Sequence, residues 1–312
     1  MTVLVTGASG FAGGHLVAAC EADGETVVRL ARSEGDVQAD LTDADAAREA
    51  VASVRPDVVY HLAAAAQVAQ SWREPAETVH SNLAMTHHLL DAIRHEAPEA
   101  VVVLASSGEV YGPPATLPVS EDAPLRPQNP YAVSKAASDL LGGFFADAHK
   151  LRVIRARAFN HAGPGQEPVY AIASFARQVA AGLEAGEDPV RVVTGNPEAR
   201  RDYTDVRDVV RAYRELAARR EPGVFNVCSG RPASAAELVV ALGLTTGVSV
   251  DHQVDPALVR AHEVMEVRGS YAHLNAITGW EPEFALERTL ADTVAWWREE
   301  LRAGRATAVV HE

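Results

Sequence analysis

Cysteine is close to absent from this 312-residue chain. Cys20 and Cys228 are too few for a disulfide framework, and neither sits in a CxxC or Cys/His metal spacing. The twelve histidines are scattered, and the adjacent pair His87–His88 has no acidic ligand pattern beside it, so no metal site is expected. Apolar runs long enough to span a bilayer are missing too, and the strand pattern that begins in MTVLVTG leaves no room for a signal peptide. The expectation is a cytoplasmic protein without membrane association. Positive charge is short: 28 Lys and Arg against 42 Asp and Glu leave a formal net charge of −14. Nucleic acid and anionic membranes are poor partners for such a chain, although a local arginine cluster around one phosphate-bearing ligand is not excluded. No segment repeats with a period of 20 to 50 residues, which argues against solenoids and propellers.

What the chain has is a rhythm of short, continuously apolar strands followed by alanine-rich helices. VLVTG (3–7) precedes a helical stretch at 11–23, TVVRLA (26–31) precedes 43–54, and DVVYHLA (57–63) leads to 78–96. VVVLASS (101–107) leads through a loop to 130–148, and LRVIRARAF (151–159) follows. This pattern predicts an α/β fold, a doubly wound parallel sheet covered on both faces, with a second, smaller α/β lobe. After Phe159 the Gly/Pro-rich HAGPGQEP breaks the rhythm; helices are expected near 170–183, 205–219, 233–242 and 286–302, and strands near 190–193 and 223–227. The expected division is 1–159 as a dinucleotide-binding domain, with an interleaved return near 195–228. Residues 160–194 and 229–312 make up the substrate-binding lobe, and the last ten residues form a loose tail.

TGASGFAG (6–13) sets Gly7, Gly10 and Gly13 three apart between the first strand and the first helix. Glycines there allow a tight turn, close approach of backbone to a pyrophosphate and close helix–strand packing, while the helix N-terminus favours the anion. In that context the triplet predicts a Rossmann-type dinucleotide site, with contacts from Gly7, Gly10, Phe11, Ala12 and Gly13. The second strand lacks the terminal acidic residue that would hold a ribose 2′-hydroxyl; Arg29 and Arg32 stand there instead. A guanidinium suits a 2′-phosphate, so NADP(H) is expected ahead of NAD(H), with Arg32 as its contact and Arg29 as readily an ordinary surface charge. Asp40 and Leu41 either meet the adenine or merely lead into the next helix.

NPYAVSKAA (129–137) opens a helix, Asn129 suiting the N-cap and Pro130 the first turn. Tyr131 and Lys135, four apart, therefore share a face. An ammonium near a phenol favours the phenolate, so the tyrosine can exchange a proton with a substrate oxygen while hydride moves at the adjacent carbon. SSGEVYG (106–112) ends a strand where open parallel sheets place their ligands. Ser107 is expected to hydrogen-bond the reacting oxygen. Glu109 is either a base beside it or a solvated loop residue.

With TGASGFAG, SSGEVYG and YAVSK in this order, the chain resembles the extended short-chain dehydrogenase/reductases, whose catalytic serine, tyrosine and lysine match Ser107, Tyr131 and Lys135. The resemblance includes HLAA (61–64), which implies cofactor contacts at Ala63 and Ala64 in addition to Tyr131 and Lys135. RAFNHAGPGQ (157–166), GNPEARRDYTDVRDVVRAY (195–213) and FNVCSG (225–230) look like the GDP-mannose 4,6-dehydratase branch, and within it most like the 4-keto reductases that form GDP-D-rhamnose. That likeness implies NADPH-dependent reduction of the C4 ketone of a GDP-4-keto-6-deoxy-hexose by a homodimer or homotetramer. It also implies nucleotide-sugar contacts at Asn160, Arg201, Arg260 and Glu263. Ala261 stands where the family usually has proline, a departure inside the segment expected to meet the guanosine. Arg200 and Arg207 read as surface ion pairs with Asp202, Asp205 and Asp208. The alternatives are GDP-mannose 4,6-dehydratase, with Glu109 as base, a UDP-sugar 4-epimerase, and a non-catalytic dinucleotide-binding regulator.

Overall fold

The structure, a computed structural model, describes residues 1–259 and 263–305. Arg260, expected at the nucleotide, and most of the expected tail lie outside the described residues. The chain runs β1 (Thr2–Thr6), α1 (Phe11–Ala22), β2 (Thr26–Ala31), β3 (Val37–Gln38), α2 (Ala44–Val54), β4 (Val58–His61), α3 (Val68–Arg73) and α4 (Pro75–Glu96). It continues with β5 (Val101–Ser107), a 3-10 turn (Gly108–Tyr111), α5 (Pro130–His149), β6 (Arg152–Ala158), β7 (Asn160–Ala162), α6 (Ala171–Ala185), β8 (Val190–Thr194) and β9 (Arg200–Asp205). Then come α7 (Val206–Arg219), β10 (Gly223–Val227), β11 (Pro232–Ser234), α8 (Ala235–Thr246), β12 (Val250–Val254), β13 (Glu266–Val267), α9 (Ala272–Thr278) and α10 (Leu286–Arg302). Among the described residues no helix is long and apolar enough to cross a membrane.

Two compact units share the chain. The first, Met1–Phe159 with Val209–Cys228 and Gly269–Glu281, holds a parallel seven-stranded sheet in the order β10-β6-β5-β4-β1-β2-β3. Valine-rich β1, β4 and β5 are buried on both faces, which is why they read as unbroken apolar runs. Leu4, Val59, Val102 and Leu104 of the strands pack with Ala47 and Val51 of α2, Leu89 and Ile93 of α4, and Phe145 of α5. The strand order reverses at the β1–β4 pair, and the crevice beyond the carboxyl ends of such a pair is where this architecture binds ligands.

The second unit, Asn160–Asp208 with Ser229–Arg268 and Pro282–Glu312, carries a four-stranded sheet of β7, β9, β11 and β13 and a parallel pair of β8 and β12. Its core joins Ile172 and Val179 of α6, Leu238 and Leu242 of α8, and Leu290, Val294 and Trp297 of α10.

The interleaving differs from expectation in two places. The return to the first unit starts at Val209 rather than 195, because Arg200–Asp205 is a strand of the second unit's sheet. RRDYTD is too charged to be recognised as a strand; neighbouring strands and side-chain ion pairs hold it. Residues 269–281 also belong to the first unit: Leu274 and Trp280 are buried there, and His273 stacks on Phe225 of β10 at 4.6 Å. Helix α3 and the short strands β7, β11, β12 and β13 carry too few residues for a periodic signal.

Candidate active site

The glycine loop is built as a cradle. Gly7 has φ +70°, and a Cβ there would sit 2.8 Å from the backbone nitrogen of Ala63. At Gly13 a Cβ would fall 2.1 Å from the carbonyl oxygen of Gly7, so only glycine lets α1 come this close to β1. Gly10 is the N-cap of α1 and supplies no side-chain cap, which leaves the first amides of the helix for an anion. Phe11 and Ala12 open that helix, and the Phe11 ring meets His15 edge-on at 5.6 Å. After β4, Ala63 donates its N–H to Thr6 Oγ1 at 3.2 Å, which brings Ala63 alongside the glycine turn, with Ala64 next in the chain.

At the end of β2 the two arginines part company. Arg29 pairs with Glu21 and lies 3.5 Å from Asp36, whereas Arg32 is exposed just past the strand. Hydrogen bonds from the Thr42 amide (2.9 Å) and hydroxyl (2.8 Å), aided by Arg32, hold the Asp40 carboxyl below its usual range. Asp40 thus forms a turn on Thr42, while the N-cap of α2 is Asp43. Leu41 turns its side chain into the core, where it is 3% exposed.

Helix α5 starts as its sequence dictates: Asn129 accepts the Ala132 amide at 2.7 Å and Pro130 follows. Tyr131 lies in the first turn and Lys135 one turn on. The Lys135 ammonium donates to the Ala105 carbonyl of β5 and is buried, and that burial pushes its pKa down to about 8 against the pull of Asp139. Burial, and then the charge of Tyr131, raise the pKa of the Tyr213 phenol of α7. Ser107 ends β5, is buried, and caps the 3-10 turn by accepting the Glu109 amide at 3.2 Å. Glu109 is exposed, and its carboxylate accepts a 3.1 Å hydrogen bond from the Asn129 side chain.

A buried polar chain underlies this surface. Thr6 Oγ1 lies 2.8 Å from His61 Nδ1, and His61 Nε2 lies 3.3 Å from Thr86 Oγ1, whose hydroxyl bonds Ser138 at 3.1 Å. Burial first, and then the Lys135 charge, push the His61 pKa down to about 3, so the imidazole is neutral. Asn82 of α4 clamps both polar groups of the Ala65 backbone and donates to Ser134 Oγ at 2.8 Å. Ser134 in turn donates to the Tyr131 carbonyl at 2.7 Å. The loop after β4 is thereby tied to the turn that carries the tyrosine. Asn82, His61 and Thr86 were not read from the sequence, since single polar residues inside helix or strand patterns give no local signal. A signal for Lys135 did exist: the chain holds only Lys135 and Lys150 as lysines, with arginine elsewhere. Arginine cannot titrate in a protein, whereas a buried lysine can.

In the second unit Asn160 begins β7 and is exposed. Arg201 of β9 donates to the Glu263 carboxylate at 3.2 Å, so two of the expected nucleotide-sugar contacts lie together. The neighbouring charges are structural: Arg207 holds Asp205 (2.7 Å) and Asp292 (2.8 Å), and Arg200 holds Glu237 (2.7 Å). Asp202 accepts the backbone amides of Ser229 and Gly230, and Asp208 those of Glu283 and Phe284.

A Rossmann sheet with this glycine turn, a serine at the end of β5 and a tyrosine and lysine four apart in the first turns of α5 defines an extended short-chain dehydrogenase/reductase. The chain belongs to the GDP-mannose 4,6-dehydratase family, whose model matches residues 4–293. It is 37% identical over 303 residues to the GDP-6-deoxy-D-mannose reductase of Pseudomonas aeruginosa, covering 96% of this chain and 98% of that one. A UDP-glucose 4-epimerase of Mycolicibacterium smegmatis is 31% identical, with 96% and 99% covered. Among solved structures, RMD from Pseudomonas aeruginosa complexed with NADPH superposes with a TM-score of 0.86 at 36% identity, covering 96% of this chain and 99% of that one.

Proposed function

We propose that the protein reduces the C4 ketone of a GDP-4-keto-6-deoxy-hexose with NADPH, yielding a GDP-6-deoxyhexose of the GDP-D-rhamnose type. The observation that carries this reading is the whole-length likeness to the GDP-6-deoxy-D-mannose reductase, combined with Ser107 at the end of β5 and Tyr131 and Lys135 in the first turns of α5. NADPH, when bound, supplies the hydride for C4. The cradle of Gly7, Gly10 and Gly13 and the open start of α1 suit its pyrophosphate, with Phe11, Ala12, Ala63 and Ala64 beside it. Arg32 suits the 2′-phosphate, and Asp40 with the Leu41 backbone lies toward the adenine. Tyr131 gives its proton to the substrate oxygen, Ser107 polarises the carbonyl, and Lys135 stabilises the charge left on the phenol. Asn160, Arg201 and Glu263 bind the nucleotide-sugar, the guanidinium taking a phosphate oxygen in place of its present carboxylate partner.

The chain works as a homodimer or homotetramer. Val133, Leu140 and Phe144 form an apolar stripe along α5, 42%, 62% and 55% exposed, and a second copy would cover it. A cytoplasmic setting suits its two free cysteines. Glu109, kept beside Ser107 by Asn129, supports a second reading as the dehydratase, with that carboxylate as base.

One assay separates the two: NADPH absorbance on mixing with GDP-4-keto-6-deoxy-mannose, with sugar analysis of the product. Oxidation of NADPH in step with GDP-6-deoxyhexose is expected, and in Tyr131→Phe the turnover falls roughly 10²–10⁴-fold while NADPH still binds. A keto sugar formed from GDP-mannose without net NADPH change would mean the dehydratase.

A further inference from the structure

Tyr131, Lys135 and Asp139 follow one another at intervals of four along α5, and so lie on one helix face. Asp139 is fully buried and is held in a two-pronged pair by Arg157 of β6, Nε to Oδ2 at 2.9 Å and Nη2 to Oδ1 at 2.8 Å. The same guanidinium reaches the other way: its Nη1 donates to the Tyr111 hydroxyl at 2.9 Å and to the Glu121 carbonyl at 3.2 Å, and it lies 5.1 Å from the Tyr111 ring centroid. Tyr111 passes the chain on, donating to Asn226 Oδ1 of β10 at 2.7 Å, and Asn226 donates to the Val119 carbonyl at 3.0 Å. Tyr111 is the last residue of the 3-10 turn that Ser107 caps. A continuous, fully satisfied buried network therefore joins the segment bearing Ser107 to the helix bearing Tyr131 and Lys135.

We propose that Tyr111, Arg157 and Asp139 form a brace that sets the separation of Ser107 from Tyr131, making the Tyr111 hydroxyl a positioning group for the ketone reduction. The inference rests on the roles given above to Ser107 and Tyr131. Two donors must act on one carbonyl oxygen at once, and an error of an ångström between them lowers the rate far more than it weakens binding. Burial keeps the Tyr111 phenol protonated, its pKa pushed up to about 12, so it can donate to Asn226 while accepting from Arg157. Without the brace the turn keeps the Arg126 amide on the Val110 carbonyl and the Glu109–Asn129 tie, neither of which reaches β6.

Tyr111→Phe removes the hydroxyl alone and leaves the ring in place. With GDP-4-keto-6-deoxy-mannose and NADPH, kcat is expected to fall about tenfold. KM for the sugar and Kd for NADPH should stay within twofold, and the isotope effect with 4-deuterated NADPH should grow. Asn226→Leu, which removes the hydroxyl's acceptor, should reproduce the loss, and the double variant should be no worse than either single one. If Tyr111→Phe does not fold, Asn226→Leu carries the same test. A kcat within twofold of wild type, or equal losses in kcat, KM and NADPH binding, would overturn the brace. Failure of the wild-type chain to oxidise NADPH would instead refute the reductase reading on which it rests.

Discussion

Lys135 is the residue on which the chemistry and the stability of the first unit meet. Its ammonium is buried, bonded to the Ala105 carbonyl and brought to a pKa of about 8, well below the usual lysine value, chiefly by burial. In the proposed reaction the charged form is the one that supports the Tyr131 phenolate, so reductase activity should fall as pH rises through about 8. In Lys135→Arg that limb should disappear from the pH–rate profile, at a lower plateau; an unchanged limb would assign it to another group. His61, in the neighbouring buried network, has its pKa pushed down to about 3 by burial and then by the Lys135 charge, so it stays neutral in the native state to about that pH. The unfolded chain takes up a proton near pH 6.5 that the folded chain refuses, so stability is full above that pH and declines below it. Between pH 7 and pH 5 this contributes a loss of about 2 kcal/mol. Urea midpoints at the two pH values should therefore differ less in His61→Gln than in wild type.

At the scale of elements, α1 and α5 are placed by contrary means. Helix α1 is brought onto β1 by the absence of side chains: nothing larger than hydrogen fits at Gly13, whereas a Cβ at Gly14, one residue on, would meet nothing within 4 Å. Gly13→Ala should weaken NADPH binding at least tenfold and lower stability by roughly 1–3 kcal/mol through overpacking. Gly14→Ala should leave binding unchanged and stabilise by up to about 1 kcal/mol from helix propensity. Dye-monitored melting and NADPH fluorescence titration of the pair would read both effects, and equal losses in the two would mean that the close approach at Gly13 is not what matters. Helix α5, by contrast, is placed by polar bonds: Asn129 at its start, Lys135 to β5, Asp139 to β6 and Ser134 to α4. A helix held by such directional bonds presents its first turn at a defined position, which proton transfer from Tyr131 needs.

For the molecule as a whole, the net charge of −14 and the α5 stripe pull in different directions. Like-charged copies repel at long range, yet Leu140 and Phe144 leave apolar surface that only close contact removes from water. If a second copy covers the stripe as proposed, wild type should sediment as a dimer or tetramer and Leu140→Glu as a monomer in analytical ultracentrifugation, with the melting temperature of the variant monomer within a few degrees. A wild type that sediments as a monomer would sink the assembly.

The local signals were strong where one residue type alone satisfies a geometric need: glycine at Gly7 and Gly13, the Asn129–Pro130 start of α5, and the valine runs of a sheet buried on both faces. These made the doubly wound sheet, the glycine turn and the start of α5 readable from the amino-acid order, because each depends on neighbours within a few positions. Charged strand β9, the return of 269–281 to the first unit, and the buried chains through His61, Asn82 and Arg157 were not readable in this way. Their partners lie 17 to 115 residues apart in sequence, as with Asn82 to Ala65 and Tyr111 to Asn226, and a polar residue looks alike in sequence whether water or a distant side chain satisfies it. Only folding, by removing water from these groups, decides which of them must find each other.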